Sequence, residues 1–138
     1  MKRLIIAALI VVGSVTHLAG ASARKKMYLP LGIVRITKYT HRKSEGGIWT
    51  ASGRKFRPED VDRVCAVSRD WMKRKKLRFG DVIVVGEVTT CVVEDTMAKY
   101  VKYHRGKLQK RRVDIYNGGD VKSAMDFGVQ YGRMYLVR

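Results

Sequence analysis

The amino-acid sequence predicts a small, mainly β protein: a closed barrel of about six strands with one or two short helices. Short runs rich in Val, Ile, Thr and Tyr recur along the chain, and Gly or charge clusters separate them. The chain has 138 residues, of which 46% are hydrophobic, and this is enough for one packed domain. No sequence repeat or linker divides it. These observations favour a single small β domain over a disordered or multidomain chain.

The predicted strands share β-branched and aromatic residues and are bounded by turn residues. They cover residues 31–38, 63–68, 81–87, 88–94, 112–116 and 133–137. A first short helix is predicted at 58–62, because Pro58 stands at its start and acidic residues follow it. A second is predicted at 121–127, where Asp120 caps the start and Gly128 the end.

The first 23 residues have the pattern of a secretory signal peptide. Lys2 and Arg3 precede the apolar run 4–12, and Ala21-Ser22-Ala23 supplies a small-x-small cleavage site. The apolar run is shorter than the roughly 20 residues that cross a bilayer. We therefore expect a secreted or periplasmic protein without a membrane anchor. Its expected parts are a signal peptide, a basic N-terminal lead-in and a folded domain, at residues 1–23, 24–33 and 34–138.

The charge of the chain points to a polyanionic partner. It has 29 Lys and Arg against 12 Asp and Glu, a formal net charge of +17. The basic runs 73–76 and 107–112, the second near Tyr100, Tyr103 and Tyr116, would suit nucleic acid, or they form a solvated surface. Export favours an anionic envelope polymer instead. We expect a monomer with no nucleic-acid partner and no cofactor, and the scattered cysteines and histidines predict no metal site.

The two cysteines, Cys65 and Cys91, each lie in a strand-like run. In an oxidising compartment an even pair favours a single disulfide. Two buried free thiols are the alternative, because the sequence does not give the separation of the two Cα atoms. Both interpretations stay open at this point.

Three acidic residues are candidates for chemistry. Asp114 lies between residues that favour burial, Asp95 lies where a strand meets a loop, and Asp70 follows another strand. A carboxylate within an apolar strand loses hydration, which raises its pKa. A protonated carboxyl can donate to a leaving oxygen, as glycosidic cleavage requires. The alternative is that these acids pair with nearby Arg or Lys, such as Arg112 or Arg111, or cap turns.

The segment 50–53, with Thr50 and Ser52 before Gly53, suggests a close approach of the backbone to a ligand. Trp49 beside it offers a ring that can stack on a sugar face. A plain polar turn with a half-buried Trp is the alternative interpretation. The sequence has no Gly-x-Ser-x-Gly motif, which argues against a serine nucleophile.

The order of these motifs resembles the three-aspartate domain, a double-psi β-barrel. That domain is related to the rare lipoprotein A-like domain and to the catalytic barrel of A-type membrane-bound lytic transglycosylases. The resemblance covers residues 34–137. Its matching pieces are residues 36–40, 50–53, 64–67, 77–81, 93–96, 113–116, 127–128 and 134–137. Two departures stand out: Thr96 leads into Met97 and a longer basic loop through residue 112, and Ser68 replaces an early aspartate, for which Asp70 is a shifted substitute.

The resemblance implies a six-stranded double-psi barrel that remodels peptidoglycan. It implies a lytic transglycosylase, which cleaves between N-acetylmuramic acid and N-acetylglucosamine and leaves a 1,6-anhydro end. By motif position Asp114 is the acid/base and Asp95 its neighbour across the site. The expected glycan-binding residues are Tyr39, Trp49, Thr50, Ser52, Asp70 and Tyr116. The alternative function is a barrel of the same kind that binds peptidoglycan or another polysaccharide without cleaving it.

Overall fold

The computed structural model describes residues 25–74, 76–98, 103–104, 107–108 and 111–138. The predicted signal peptide lies outside the described residues. So does much of the basic loop after Thr96, with Tyr100 and the side chain of Tyr103. Lys75, within the basic run 73–76, also lies outside the described residues, and the rest of the chain from Lys25 to Arg138 is described.

The described residues form a closed barrel of six strands and a separate two-stranded sheet. In chain order the strands are β1 (Tyr28–Tyr39), β2 (Val64–Val67), β3 (Val82–Val85), β4 (Thr89–Thr96), β5 (Tyr103–His104), β6 (Lys107–Leu108), β7 (Arg112–Tyr116) and β8 (Gln130–Val137). The order around the barrel is β1-β7-β2-β4-β3-β8, and β5 pairs with β6 outside it. Two pairs are parallel, β1 with β7 and β2 with β4, and the other four are antiparallel.

Two short helices complete the fold, α1 (Arg69–Lys73) and α2 (Val121–Phe127). The Asp120 carboxylate accepts a hydrogen bond from the Ser123 amide at 2.9 Å, so α2 has the predicted cap. The predicted helix at 58–62 is a single 3₁₀ turn, Pro58–Asp60, and a second such turn covers Lys43–Glu45. The expectation of a small six-stranded barrel with short helices is confirmed. No helix of the described part has the length and apolar composition of a membrane span.

Strand β1 is longer than the predicted run 31–38 and begins at Tyr28, within the predicted lead-in. It pairs with β8 from Tyr28 opposite Val137 to Ile36 opposite Gln130. Pro30 and Gly32 weaken the strand pattern in the sequence, and the register shifts between them. The pairing with β8 overrides this local preference, so residues 28–33 belong to the barrel.

The barrel interior is filled by aliphatic side chains that alternate with outward-facing ones. On β7, Val113 and Ile115 are fully buried in the core cluster, while Asp114 between them faces outward. Cys65 and Cys91 lie in the same core and form a disulfide, with their Cα atoms 5.9 Å apart. The two cysteines are therefore bonded to each other and are not two buried free thiols.

Candidate functional site

Four neighbouring strands place two aspartates in one row on the outer surface of the barrel. Thr37 of β1 lies opposite Asp114 of β7, which lies opposite Ala66 of β2. Ala66 in turn lies opposite Asp95 of β4, next to a register shift. Because neighbouring strands are about 4.8 Å apart, the backbones of the two aspartates are separated by roughly 10 Å. The small Ala66 side chain leaves this gap open.

A cleft of about 480 Å³ lies over this row of residues, and we call it the aspartate cleft. It is lined by both aspartates and Ala66, and by residues from the segments around them. These are Tyr39, Ser44, Glu45, Gly46, Trp49, Thr50, Ala51, Arg69, Thr96, Met97, Ala98 and Arg112. Acidic and basic side chains therefore meet in one concave site.

Asp114 is the more buried of the two aspartates in the cleft, with 18% of its side chain exposed. The Thr37 hydroxyl donates a hydrogen bond to Asp114 Oδ1, and Arg112 Nη2 lies 4.0 Å from the same oxygen. Burial raises the pKa of Asp114 to about 6, against the opposing charges of Arg112 and Arg35. Within the described residues no group donates a hydrogen bond to Oδ2. This oxygen can therefore carry a proton and offer it to a ligand.

Three groups of the described part donate hydrogen bonds to the Asp95 carboxylate. The amides of Ala51 and Thr96 donate to its Oδ1 at 2.9 and 2.8 Å, and the Tyr39 hydroxyl donates to Oδ2 at 3.2 Å. Burial raises the pKa of Asp95, while these bonds and the charge of Arg69 oppose the rise. Hydrogen bonds of this kind favour the ionised carboxylate. Among the described residues Asp114 has one such donor, so hydrogen bonds favour the ionised form less at Asp114 than at Asp95.

Tyr39 connects the two acids electrostatically. Burial, followed by the nearby charge of Asp95 and then that of Asp114, raises the pKa of Tyr39 far above its ordinary value. The phenol therefore stays protonated and remains a hydrogen-bond donor to Asp95.

A tight hairpin over residues 48–56 forms one wall of the cleft. Trp49 bridges Lys55, and the Phe56 amide donates to the Ile48 carbonyl at 3.0 Å. The buried Thr50 hydroxyl accepts from the Arg54 amide at 3.0 Å and is close enough to donate to the Arg54 carbonyl, at 2.9 Å. Thr50 therefore builds the turn that presents the Ala51 amide to Asp95, in addition to lining the cleft.

The tip of this hairpin is tied to β4 by Ser52. Its amide donates to the Glu94 carbonyl at 3.0 Å, and its hydroxyl donates to Glu94 Oε2 at 2.5 Å. Ser52 does not line the aspartate cleft. Trp49 does line it and leaves 58% of its surface exposed, so its ring is available for stacking.

Two further predicted binding residues, Tyr116 and Asp70, do not line the aspartate cleft either. Tyr116 is buried and stacks on Phe56, with ring centroids 3.9 Å apart, and its hydroxyl is hydrogen-bonded to His41 Nδ1 at 2.8 Å. Asp70 lies on α1, where its neighbour Arg69 lines the cleft instead. The structure brings together Asp114, Asp95, Tyr39, Trp49 and Thr50.

The sequence argument missed Thr37, Arg69 and Glu45, and it offered Arg112 only as an ion-pair partner of the acids. Thr37 and Arg112 each precede a predicted site residue by two positions, and strand alternation places residues two apart on the same face. That alternation was the signal that could have found them. No local pattern points to Arg69 or Glu45, which the tertiary fold brings to the cleft.

Glu45 has a structural role at the rim of the cleft. Its Oε2 accepts hydrogen bonds from the Thr40 amide at 2.6 Å and the Thr40 hydroxyl at 2.5 Å, and Arg42 pairs with Oε1. Burial opposes ionisation of Glu45, but the bonds from Thr40 and Arg42 outweigh it and lower the pKa. Glu45 is therefore a fixed anion that anchors the turn after β1.

The site combines two carboxyl groups in different surroundings, Asp114 and Asp95, with an exposed aromatic ring in one open cleft. These are the groups that acid/base chemistry on a saccharide requires. No protein-family model matches the chain, and no curated protein matches it. The case for a function therefore depends on the site itself and on the motifs of the sequence.

Proposed function

We propose that the chain is an exported lytic transglycosylase that cleaves peptidoglycan between N-acetylmuramic acid and N-acetylglucosamine. The observation that carries the proposal is Asp114: a buried carboxyl with a pKa raised to about 6, beside a second, hydrogen-bonded carboxylate. About half of Asp114 is protonated at pH 6 and roughly a tenth at pH 7. The motif order that resembles the three-aspartate domain supports the same reaction.

In the proposed mechanism Asp114 acts first as an acid and then as a base. Its Oδ2 proton passes to the glycosidic oxygen as the bond from that oxygen to C1 of the muramyl sugar breaks. The C6 hydroxyl of the same sugar then forms a bond to C1 and gives its proton to Asp114. The products are a free hydroxyl on the leaving sugar and a 1,6-anhydro ring, and Asp114 ends protonated as it began.

Asp95 has a different role in this mechanism. Positive charge develops at C1 as the glycosidic bond breaks, and a fixed carboxylate across the cleft stabilises it. The charge of Asp95 is also among the smaller causes that raise the pKa of Asp114. Tyr39 and the Ala51 and Thr96 amides keep Asp95 in position, so the carboxylate does not need to reorganise during the reaction.

Binding of the glycan uses the exposed ring of Trp49 and the positive charge of the chain. A sugar face that stacks on Trp49 lies at the wall of the cleft that holds both acids. The net charge of +17 attracts the chain to an anionic polymer without sequence or linkage specificity. Attraction and chemistry are thus supplied by different residues.

Export would follow from residues 1–23, which have the signal-peptide pattern. The Cys65–Cys91 disulfide fits this destination, because structural disulfides persist in oxidising compartments.

The experiment that tests the proposed function is digestion of purified sacculi by the wild-type protein and by Asp114→Asn. We expect 1,6-anhydro-muropeptides from the wild type and a loss of about 10²–10⁴-fold in the variant. Asp126→Asn, at an exposed position on α2, is the matched control and should retain the wild-type rate. Binding to sacculi without any soluble fragment would instead support a glycan-binding module and contradict the proposed enzyme.

A further inference from the structure

Three neighbouring strands, β3, β8 and β1, form an outer face of the barrel that the proposed mechanism does not use. Ile83 and Leu136 are buried in the core, so the residues that alternate with them face outward. The sheet register places six outward residues in two rows: Val82, Val137 and Tyr28, then Val84, Tyr135 and Pro30. The same side continues with two further pairs, Arg133 opposite Ile33 and Tyr131 opposite Arg35. We call these residues the β8 face.

The β8 face is apolar or aromatic except for its two arginines, and much of it is exposed. Tyr131 and Ile33 leave 71% and 61% of their surfaces exposed, and Tyr28 is exposed by more than half, at 54%. Single exposed apolar side chains are common on proteins and need no explanation. A contiguous set of them across three paired strands is instead typical of an interaction surface.

Cationic side chains lie on the β8 face and at its margin. They are Arg35 and Arg133 on the face and Lys25 and Lys26 directly before β1. None of them forms an ion pair with a described carboxylate. Asp81, directly before β3, is neutralised by Arg138, whose Nη1 lies 2.6 Å from Asp81 Oδ1. Glu87 shares a cleft with Tyr131 and Arg133 and is outnumbered by the cations. The face is therefore apolar and carries a positive charge.

An anionic lipid surface complements this combination of groups. A second copy of the chain would bring two positive faces together, which the net charge of +17 opposes. A polyanion in solution would pair with the cations but leave Val82, Val84 and Ile33 facing water. At a bilayer, cations attract the lipid phosphates, while aliphatic side chains enter the boundary between headgroups and acyl chains. Tyrosine favours the same boundary, because its ring is apolar and its hydroxyl is polar.

We propose that the β8 face holds the protein reversibly on the surface of a bilayer that contains anionic phospholipid. This contact is peripheral and needs no membrane-spanning segment, because each cation near the surface and each partly inserted apolar side chain adds to the affinity. The inference does not depend on the proposed cleavage of a glycan, since none of its residues lines the aspartate cleft.

Sedimentation with lipid vesicles tests the proposal on the protein in its secreted form. Vesicles with about one third phosphatidylglycerol in phosphatidylcholine should bind it about tenfold or more tightly than vesicles of phosphatidylcholine alone. Added salt should weaken the binding, because it screens the charges. Arg133→Gln and Ile33→Ser should each weaken binding to the anionic vesicles by about fivefold. Both side chains are exposed, so neither substitution reaches the core.

Two matched variants serve as controls. Arg63→Gln removes the same charge at an exposed position before β2, which is not a neighbour of β8 in the barrel. Ile48→Ser makes the same apolar change at an exposed position of the 48–56 hairpin, outside the β8 face. Both controls should keep nearly the wild-type affinity for the anionic vesicles.

Three results would overturn the inference. The first is equal binding to the two kinds of vesicle. The second is wild-type affinity of Ile33→Ser, which would make the surface a general site for polyanions. The third is a dimer in sedimentation equilibrium that Ile33→Ser dissociates, which would assign the β8 face to a second copy of the chain. Each of these results would leave the proposed reaction at Asp114 standing.

Discussion

Replacement of Asp114 by Asn should make the barrel more stable at neutral pH while it abolishes the proposed activity. Burial raises the pKa of Asp114 from its ordinary value of 3.8 to about 6, so the folded protein holds the proton more tightly than the unfolded chain does. Between these two pH values the folded state binds more protons, and the stability of the wild type falls as the pH rises. Asn is neutral throughout, so the variant does not share this loss.

The magnitude follows from the pKa. Each tenfold change in proton affinity is worth about 1.4 kcal/mol, so a rise from 3.8 to about 6 corresponds to roughly 3 kcal/mol. The Asn side chain has nearly the same shape, and its carbonyl oxygen can still accept the hydrogen bond from Thr37. We therefore expect the stability gained by Asp114→Asn to be up to about 3 kcal/mol larger at pH 7.5 than at pH 4.

Urea unfolding of the wild type and of Asp114→Asn at both pH values measures this difference. Other titrating groups act equally on the two proteins, so their contributions cancel when the two free energies of unfolding are subtracted. Asp126→Asn removes an exposed carboxylate that pairs with Lys122, and its effect should be below about 1 kcal/mol at either pH. A free-energy difference between Asp114→Asn and the wild type that does not change from pH 4 to pH 7.5 would refute the reasoning about burial.

Three other predictions concern the same site and the core. The rate of glycan cleavage should fall as the pH rises through about 6, because Asp114 must donate its proton, and a pH–rate profile that is flat from pH 5 to pH 8 would contradict this. Ala66→Leu should fill the gap between Asp95 and Asp114, so the affinity for a disaccharide of N-acetylmuramic acid and N-acetylglucosamine should fall at least tenfold in calorimetric titration, while the circular dichroism spectrum stays that of the wild type. Replacing Cys65 and Cys91 together by Ser should lower the free energy of unfolding in urea by about 2–5 kcal/mol, and an unchanged midpoint would argue against the disulfide.

The sequence was informative about the strands because their residues have strong local preferences. Val113-Asp114-Ile115 predicts a strand with a carboxylate between two buried side chains, and the structure has this arrangement. The full length of β1 was not predictable in the same way. Pro30 and Gly32 weaken the local pattern, and only pairing with β8, more than 90 residues later in the chain, determines where β1 begins.

Which residues line the aspartate cleft is determined by strand register and by contacts between distant parts of the chain, so the sequence alone did not predict it. Tyr116 lies two residues after Asp114 on the same strand, so alternation predicts the same face for both. Tyr116 does not line the aspartate cleft, because its ring stacks on Phe56 of the 48–56 hairpin instead. The pairing of Ala66 with both Asp95 and Asp114 is likewise a property of the barrel order, which no short motif encodes.

The most direct test of the central claim is the chemical identity of the ends released from purified sacculi. If Asp114 acts as acid and then as base on the muramyl sugar, mass spectrometry should find 1,6-anhydro ends in the wild-type digest and essentially none in the Asp114→Asn digest. Release of anhydro ends by the variant at the wild-type rate would contradict the assignment of Asp114. Reducing ends in place of anhydro ends in the wild-type digest would contradict the proposed reaction itself.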